Sequence, residues 1–572
     1  MSDGIQQQPR QYTAAPGTEL LIDQEHSPSI NSYQHVAHGD GRILLVPQPS
    51  LNDPNDPLLW SSRKKWLTFG NGLFYSFNGA VTGPMMAGGM IQLATFFNRP
   101  LSDITYSNGA TLICQGLGTL LWMYVHLQTP IVNKALSAIA YDRPMAVKFG
   151  RRPVYLASNT LMGIVCVWLA IAAQENYPLF VVARAFLGLF EAPIEAIVPS
   201  TVADIFYLHE RGEKISLYGL SVLGGNELGP LASAYIIQSL SMRWAFFITA
   251  MSIGVSLITM FLFMPETMFN GPRPTIMPVI AEETNEIHKS EDGLSCEHIE
   301  GVTSMNTAPV ELESSNRKKR SYANELFQFS INHHSHLRYE SELERDFGIC
   351  RRPTIFTAVC PSILYIEFPL FMSPIIINTF ALHRPYFFSS GSQGLVFISP
   401  LLGSLVGTYL AGPLADQIAT WFTARNQGVR EPEMRLPTCI VAAVLTFVGA
   451  LIAGLTYHYQ THWAGPIVGL GVLSAGAQMG ATIAITYSLD CHKALSAEIM
   501  VTISCLKSSV AWIWTWCIND WITSSGLLTV FISVAAINVV VYLTTFILHL
   551  YGKRIRIWLH KKDFMGEESE SQ

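Results

Sequence analysis

Residues 215–238 read ISLYGLSVLGGNELGPLASAYIIQ. The run is apolar and long enough to cross a bilayer, for which about 20 residues suffice, yet Gly224 to Pro230 at its centre include an asparagine and a glutamate. A charged side chain at mid-span costs at least about 2.5–3.5 kcal/mol on insertion scales, so such a group is expected to face protein or a water-filled cavity. Gly225 and Gly229 lie four apart and let a neighbouring helix approach closely, while Pro230 frees a backbone carbonyl and bends the helix. Together they read as a hinge. Glu227 sits two residues from each glycine, so it is expected to point away from the packed face and line a cavity. There it would bind a proton or cation, or else stay permanently protonated or paired.

Similar runs recur along the chain. One group of six lies near 66–90, 105–123, 153–173, 179–203, 215–238 and 244–264, and a second near 354–378, 391–413, 436–457, 463–487, 496–518 and 525–549. The composition agrees: 572 residues, 49% hydrophobic and only 14% charged, is too apolar for a soluble protein of this length. The expected class is an all-α integral membrane protein with a six-helix half over 66–264 and another over 351–550. Residues 1–65 and 551–572 read as polar tails and 265–350, with Arg317-Lys318-Lys319-Arg320, as a linker. If the amino terminus is cytosolic, basic residues such as Lys64, Lys65, Arg151, Arg152, Arg351, Arg435 and Arg554 all fall in inside loops, whereas outside loops hold only Arg99, Arg243 and Arg384. Twelve spans with both termini in the cytosol fit that count. Nine cysteines show no CxxC pair, and no metal-ligand cluster, Walker loop or catalytic constellation stands in a polar context, so neither an enzyme nor a cofactor is expected. The net charge of −6 comes with no basic surface domain that would suit nucleic acid.

Two loops narrow the class. KFGRRPVYLAS, residues 148–158, and GPLADQIATWFTARNQG, residues 412–428, occupy equivalent places in the two halves. They resemble the signature of the major facilitator superfamily, in which a glycine, an aspartate and arginines brace the cytoplasmic helix ends and stabilise the outward-open state. Gly412, Asp416 and Arg425 match it in the second half; Gly150, Arg151 and Arg152 match in the first, where Val147 replaces the aspartate. The stretch RAFLGLFEAPIEAIVPSTVADIFYLHERG, residues 184–212, is similar to the fourth span of the fungal drug:proton antiporter group, and Gly225-x-x-x-Gly229-Pro230 resembles the fifth-span motif associated there with export. The resemblance implies a twelve-helix major facilitator fold, a monomer with no cofactor, a small-molecule substrate and proton handling by Arg184. Spacing alone puts Arg184, Gly188, Glu191 and Glu195 on one helical face, expected to look into the cavity. Structural pairing with neighbouring helices is the alternative role.

In the second half Glu367 falls in span seven and Lys507 in span eleven. Residues 488–521 resemble a pattern of the same fungal group, with a mid-span lysine and an outer aromatic cluster, here Trp512, Trp514 and Trp516. Lys507 with a buried glutamate is either a gate or a structural pair, and Tyr365, Gln478 and Tyr487 are further cavity candidates. LNDPNDPLLWSSRKKW, residues 51–66, resembles the group's marker before span one. The function implied is proton-coupled export of a toxin, drug or secondary metabolite across the plasma membrane. Uptake of a polyamine or other organic cation is the alternative, and a non-transporting nutrient sensor the alternative of another class.

One segment breaks the pattern. Family members join spans two and three in a few residues, whereas this chain carries YVHLQTPIVNKALSAIAYDR, residues 124–143. Its ends can be encoded as intron boundaries in frame, so it reads as a retained intron, with a real loop insertion as the rival.

Overall fold

The computed structural model describes residues 18–20, 22–23, 35–38, 41–50, 53–123, 150–269, 271, 390–426, 428–491 and 496–570. In the amino-terminal tail, β1 (Glu19–Leu20), β2 (Ile22–Asp23), β3 (His35–His38) and β4 (Gly41–Leu44) are short strands; β4 pairs antiparallel with both β2 and β3. Then follow α1 (Ser62–Thr82), a 3-10 segment over Pro84–Gly89, α2 (Met90–Phe97) and α3 (Leu101–Met123). The first half continues through α4 (Arg151–Ala172), α5 (Tyr177–Glu191), α6 (Ile194–Ile205), α7 (Leu208–Ser239) and α8 (Met242–Phe263). The second half comprises α9 (Ser390–Val396), α10 (Ile398–Tyr409), a π-turn over Leu410–Leu414 and α11 (Ala415–Arg425), then α12 (Cys439–His458), α13 (Ala464–Cys491) and α14 (Ser496–Glu570). Between α11 and α12, β5 (Val429–Arg430) pairs antiparallel with β1, tying the tail to the second half.

Helices cover eleven of the twelve expected spans; 354–378 lies outside the described residues, as do 124–143. Among the described residues seven stretches are long and apolar enough to cross a membrane by length and composition, among them Met242–Phe263 and Pro432–His458. α5 and α6 fall short of that length because Pro193 divides them into helices of 15 and 12 residues. Exposed large side chains such as Ile164, Ile258, Val444 and Val540 clothe the outside, whereas Arg184, Glu227, Gln478 and Asn159 are buried. That inversion of the usual soluble pattern is what a lipid surround selects. Gly526, with φ 77° and ψ 157°, interrupts α14 and separates its two membrane-length parts.

The end of the bundle bearing Arg151, Asp416 and Arg435 is the one that the charge count assigns to the cytosol, and is called the basic end below. There the halves touch. Asp416 packs against Gly212 at the start of α7, Gly412 against Ser216, and Gln478 Nε2 donates to Ser216 O at 3.3 Å.

Candidate functional site between the two halves

The site begins with a broken helix. Pro84 has no N–H to continue α1, and the chain turns after Thr82 into the 3-10 segment. The carbonyls left over at that end need donors. Arg184 supplies them: its guanidinium donates to Thr82 O at 3.1 Å, to Gly83 O at 3.3 Å and to Asn108 Oδ1 of α3 at 2.5 Å. The arginine is wholly buried. Thr82 faces two ways, because its hydroxyl also donates to Glu191 Oε2 at 3.0 Å.

The expected single stripe is therefore split. Pro193 ends α5 just past Glu191, and α6 restarts at Ile194, so Glu195 belongs to a different helix from Arg184. Glu191 and Glu195 both line a cavity, whereas Arg184 stands behind its wall and Gly188 packs against the backbone of Thr111. Spacing within one ideal helix could not reveal the break.

Two cavities lie along the axis between the halves. The outer one, toward the end opposite the basic end, is bordered by Met86, Asn108, Gln115, Glu191 and Trp514; the inner one by Ile215, Tyr218, Gln478, Thr482 and Ser504. Glu195, Val222, Asn226 and Lys507 border both. Within that shared wall Lys507 of α14 forms an ion pair with Glu195 of α6, across the two halves, and Gln115 Nε2 lies 3.5 Å from the same carboxylate oxygen.

Glu227 does not line either cavity, contrary to expectation. Its helix packs its glycine face on α1, where a Cβ at Gly225 would come within 2.7 Å of Phe77 O and Ala80 Cβ, and one at Gly229 within 3.0 Å of Val81 O. Pro230 is accommodated inside the continuous α7. The opposite face sends Glu227 into the second half, where Oε1 accepts hydrogen bonds from Ser404 Oγ at 2.9 Å and Ser474 Oγ at 3.0 Å. Asn226, one residue earlier, takes the cavity position that the sequence assigned to Glu227.

The two loop motifs are built differently from one another. Gly150 has φ 91°, a conformation that favours glycine, and it brings Arg151 N and Arg152 N to Glu266 Oε1 and Oε2 at 3.0 and 3.1 Å. A carboxylate at a helix amino terminus is favourably placed. Arg151 pairs with Asp204 at 2.9 Å, and Arg152 donates to Phe261 O at 2.9 Å. In the second half Asp416 pairs with Arg435 at 2.5 Å rather than with Arg425, whose guanidinium lies over the Trp421 ring at 3.6 Å. Arg425 follows Trp421 by four residues on the same helix, so local stacking wins over the longer-range pair. Arg435 also approaches Asp490 at 3.5 Å.

Of the remaining candidates, Gln478 borders the inner cavity and Trp514 the outer one, while Trp516 is half exposed and stacks on Tyr106 at 4.2 Å. Tyr487 is buried beside Leu436 and Cys491 and borders neither cavity. Glu367 and Tyr365 lie outside the described residues. Thr82, Asn108, Asn226, Ser404 and Ser474 carry no charge that would mark them in the sequence; Glu266 and Asp204 were not singled out there, although each is an acid near a helix end.

Two helical halves enclosing stacked polar cavities, parted by an ion pair that crosses from one half to the other, define a membrane carrier. A family model described as the Major Facilitator Superfamily matches residues 134–513. The chain belongs to the major facilitator superfamily. It is similar to the protein HOL1 of Saccharomyces cerevisiae, at 25% identity over 90% of this chain and 90% of that one. It is likewise similar to the efflux pump radE of Floropilus chiversii, at 27% identity over 74% of this chain and 68% of that one. The solved structure of XylE, a proton:xylose symporter, superposes with a TM-score of 0.55 at 13% identity, covering 85% of this chain and 96% of that one, which speaks for the fold.

Proposed function

We propose that this chain is a proton-coupled secondary transporter that exports a small organic compound by alternating access. The observation that carries the reading is the Glu195–Lys507 ion pair in the wall common to both cavities. A substrate passing from one cavity to the other must go through that wall, so the pair has to open and reform once per cycle. Glu191 is the proton acceptor that best suits coupling, since it faces the outer cavity and is joined through Thr82 to the carbonyls held by Arg184. Gaining or losing a proton there alters the hydrogen bond at the break in α1, whose outer segment walls the cavity. Export is supported by the Gly229-Pro230 motif in α7 and by the name of the relative radE, an efflux pump. The plasma membrane is the proposed location and the monomer the proposed unit.

Uptake of an organic cation is the second reading, favoured by two carboxylates, Glu191 and Glu195, facing the outer cavity with one lysine. Accumulation of a fluorescent drug, rhodamine 6G, and of labelled spermidine separates them. Cells with and without the protein are compared, each with and without a protonophore. Lower rhodamine accumulation that vanishes with the protonophore supports export; higher spermidine accumulation supports uptake; neither change removes both readings.

A further inference from the structure

Glu227 takes no part in the cycle just described, and its surroundings are unusual for an acid. It is 4% exposed. Oε1 accepts from Ser404 and Ser474, whose hydroxyls are themselves 2.8 Å apart, while Oε2 is buried with no hydrogen-bond partner. Among the described residues no Lys, Arg or His pairs with it. The charged and titratable groups on the helices packed on α7 stand elsewhere: His209, Glu210, Arg211, Glu213 and Lys214 of α7, Arg63, Lys64 and Lys65 of α1, Asp204 of α6 and Asp490 of α13 lie at the basic end, Arg243 of α8 lies at the opposite end, Glu195 of α6 is paired with Lys507, and α10 has no charged residue.

An ionised carboxylate left alone in a dry interior takes up a proton rather than bear the desolvation cost. The neutral form fits here, since its carbonyl oxygen satisfies two serine hydroxyls and only a neutral O–H goes without a partner. The location gives the proton a consequence. Glu227 belongs to the first half and both serines to the second, so the carboxyl group closes the seam between α7 and the α10–α13 pair.

We infer that Glu227 is a proton-binding site in the seam between the halves, distinct from the cavity carboxylates, and that separating the halves at α7 lets its proton leave. The site rests on the geometry alone; its part in a transport cycle rests on the alternating-access reading above.

The test is infrared difference spectroscopy on the reconstituted full-length protein taken from acid to alkaline pH, with no substrate present. A protonated-carboxyl carbonyl component from Glu227 is expected in the wild type and in E191Q and is expected to be missing in E227Q, where the Glu191 component remains. In the double variant S404A/S474A the band moves to higher frequency, because the carbonyl loses its two donors. A band that survives unchanged in E227Q overturns the site; should E227Q fail to fold, a band unmoved in S404A/S474A does so. Gly224 and Leu401 face each other across the seam, a Cβ on the glycine lying 3.8 Å from Leu401 Cδ1. Oxidising the variant G224C/L401C to a disulfide should keep the band present at alkaline pH. A cross-linked protein that loses the band as readily as the wild type overturns the link to separation. If the band behaves as expected while rhodamine extrusion ignores the protonophore, the proton site stands and coupled export falls.

Discussion

Lys507 on the long last helix of the chain and Glu195 just past the Pro193 break are ion-paired across the two halves, in a wall that both cavities share. Both side chains are largely buried, at 15% and 11% exposure, so removing one partner strands the other charge. Such a loss typically costs about 3–5 kcal/mol, whereas replacing both partners is often nearly neutral. The single variants E195Q and K507M should therefore unfold at clearly lower temperature than the wild type, and E195Q/K507M should recover most of the difference. The double variant should still fail to extrude rhodamine, since the wall no longer opens and closes with charge. Thermal unfolding of all four proteins in detergent, with extrusion measured alongside, checks both statements; additive losses of stability would mean that the pair is not coupled.

Arg184→Lys is not a conservative change here. The guanidinium reaches three acceptors, Thr82 O, Gly83 O and Asn108 Oδ1, in one planar fork, and an ammonium on a shorter head cannot. Each hydrogen bond to a charged group contributes about 1.5–3 kcal/mol. R184K should lose extrusion by about tenfold or more, since about 1.4 kcal/mol corresponds to a factor of ten. T82V tests the other arm: it keeps the carbonyl but removes the hydroxyl that reaches Glu191, so stability should change by only about 1 kcal/mol while the dependence of extrusion on external pH changes. Extrusion rates across a pH series in intact cells give the answer.

The basic end separates Arg425, which belongs to the loop motif, from Arg435, which lies beyond it. Arg435 is 3% exposed and pairs with Asp416 against Gly212 of the other half, whereas Arg425 lies over Trp421 of its own helix. R435A should lower both unfolding temperature and extrusion. R425A should cost no more than about 0.5–1 kcal/mol, the range for an exposed cation–π contact, and should leave extrusion close to wild type. Equal loss in both variants would return Arg425 to the bracing role.

How much of this was legible depended on whether the signal was local. The span pattern, the two halves and the charge asymmetry come from runs of residues, and helices occupy every expected span within the described residues. Glu191, Glu195 and Lys507 were legible because a charge in an apolar run has few tolerable surroundings. Which of them meet was not, since the pairing depends on how α6 and α14 pack. Arg184 was identified but misplaced: the sequence shows Pro193, yet not that the helix beyond it re-aims Glu195 while Arg184 turns back onto the α1 carbonyls. Glu227 was misplaced by one position, because the angle at which α7 sits on α1 decides whether residue 226 or 227 meets the cavity.

Two glycine substitutions separate helix contact from helix propensity. At Gly225 a Cβ meets Phe77 O and Ala80 Cβ at 2.7 Å, and the branched side chain in G225V would push α7 off α1. Overpacking of this kind costs about 1–3 kcal/mol. At Gly254, in the interior of α8, nothing lies within 4 Å of the added Cβ. G254A should be neutral or stabilising by up to about 1 kcal/mol, the usual gain of alanine over glycine in a helix. Melting temperatures falling in the order G254A, wild type, G225V are the expected result.

α3 runs to Met123, with Trp122 Nε1 donating to Leu189 O at 3.0 Å, and Gly150 with Arg151 begins α4 on the Glu266 carboxylate. Among the described residues these two ends are anchored by separate contacts. A tight connection is what the bracing role of Gly150, Arg151 and Arg152 needs, since slack before the loop would weaken its hold on the helix ends. If 124–143 is a retained intron, reads from the transcript pass from the codons around Trp122 directly to those around Pro144. The expressed protein then yields no tryptic peptide ALSAIAYDRPMAVK, residues 135–148, in which Pro144 protects the bond after Arg143. Detecting that peptide from native membranes would sink the idea and establish a true insertion. The shorter form should in that case extrude no better than the longer one, whereas under the intron reading it should extrude several-fold better.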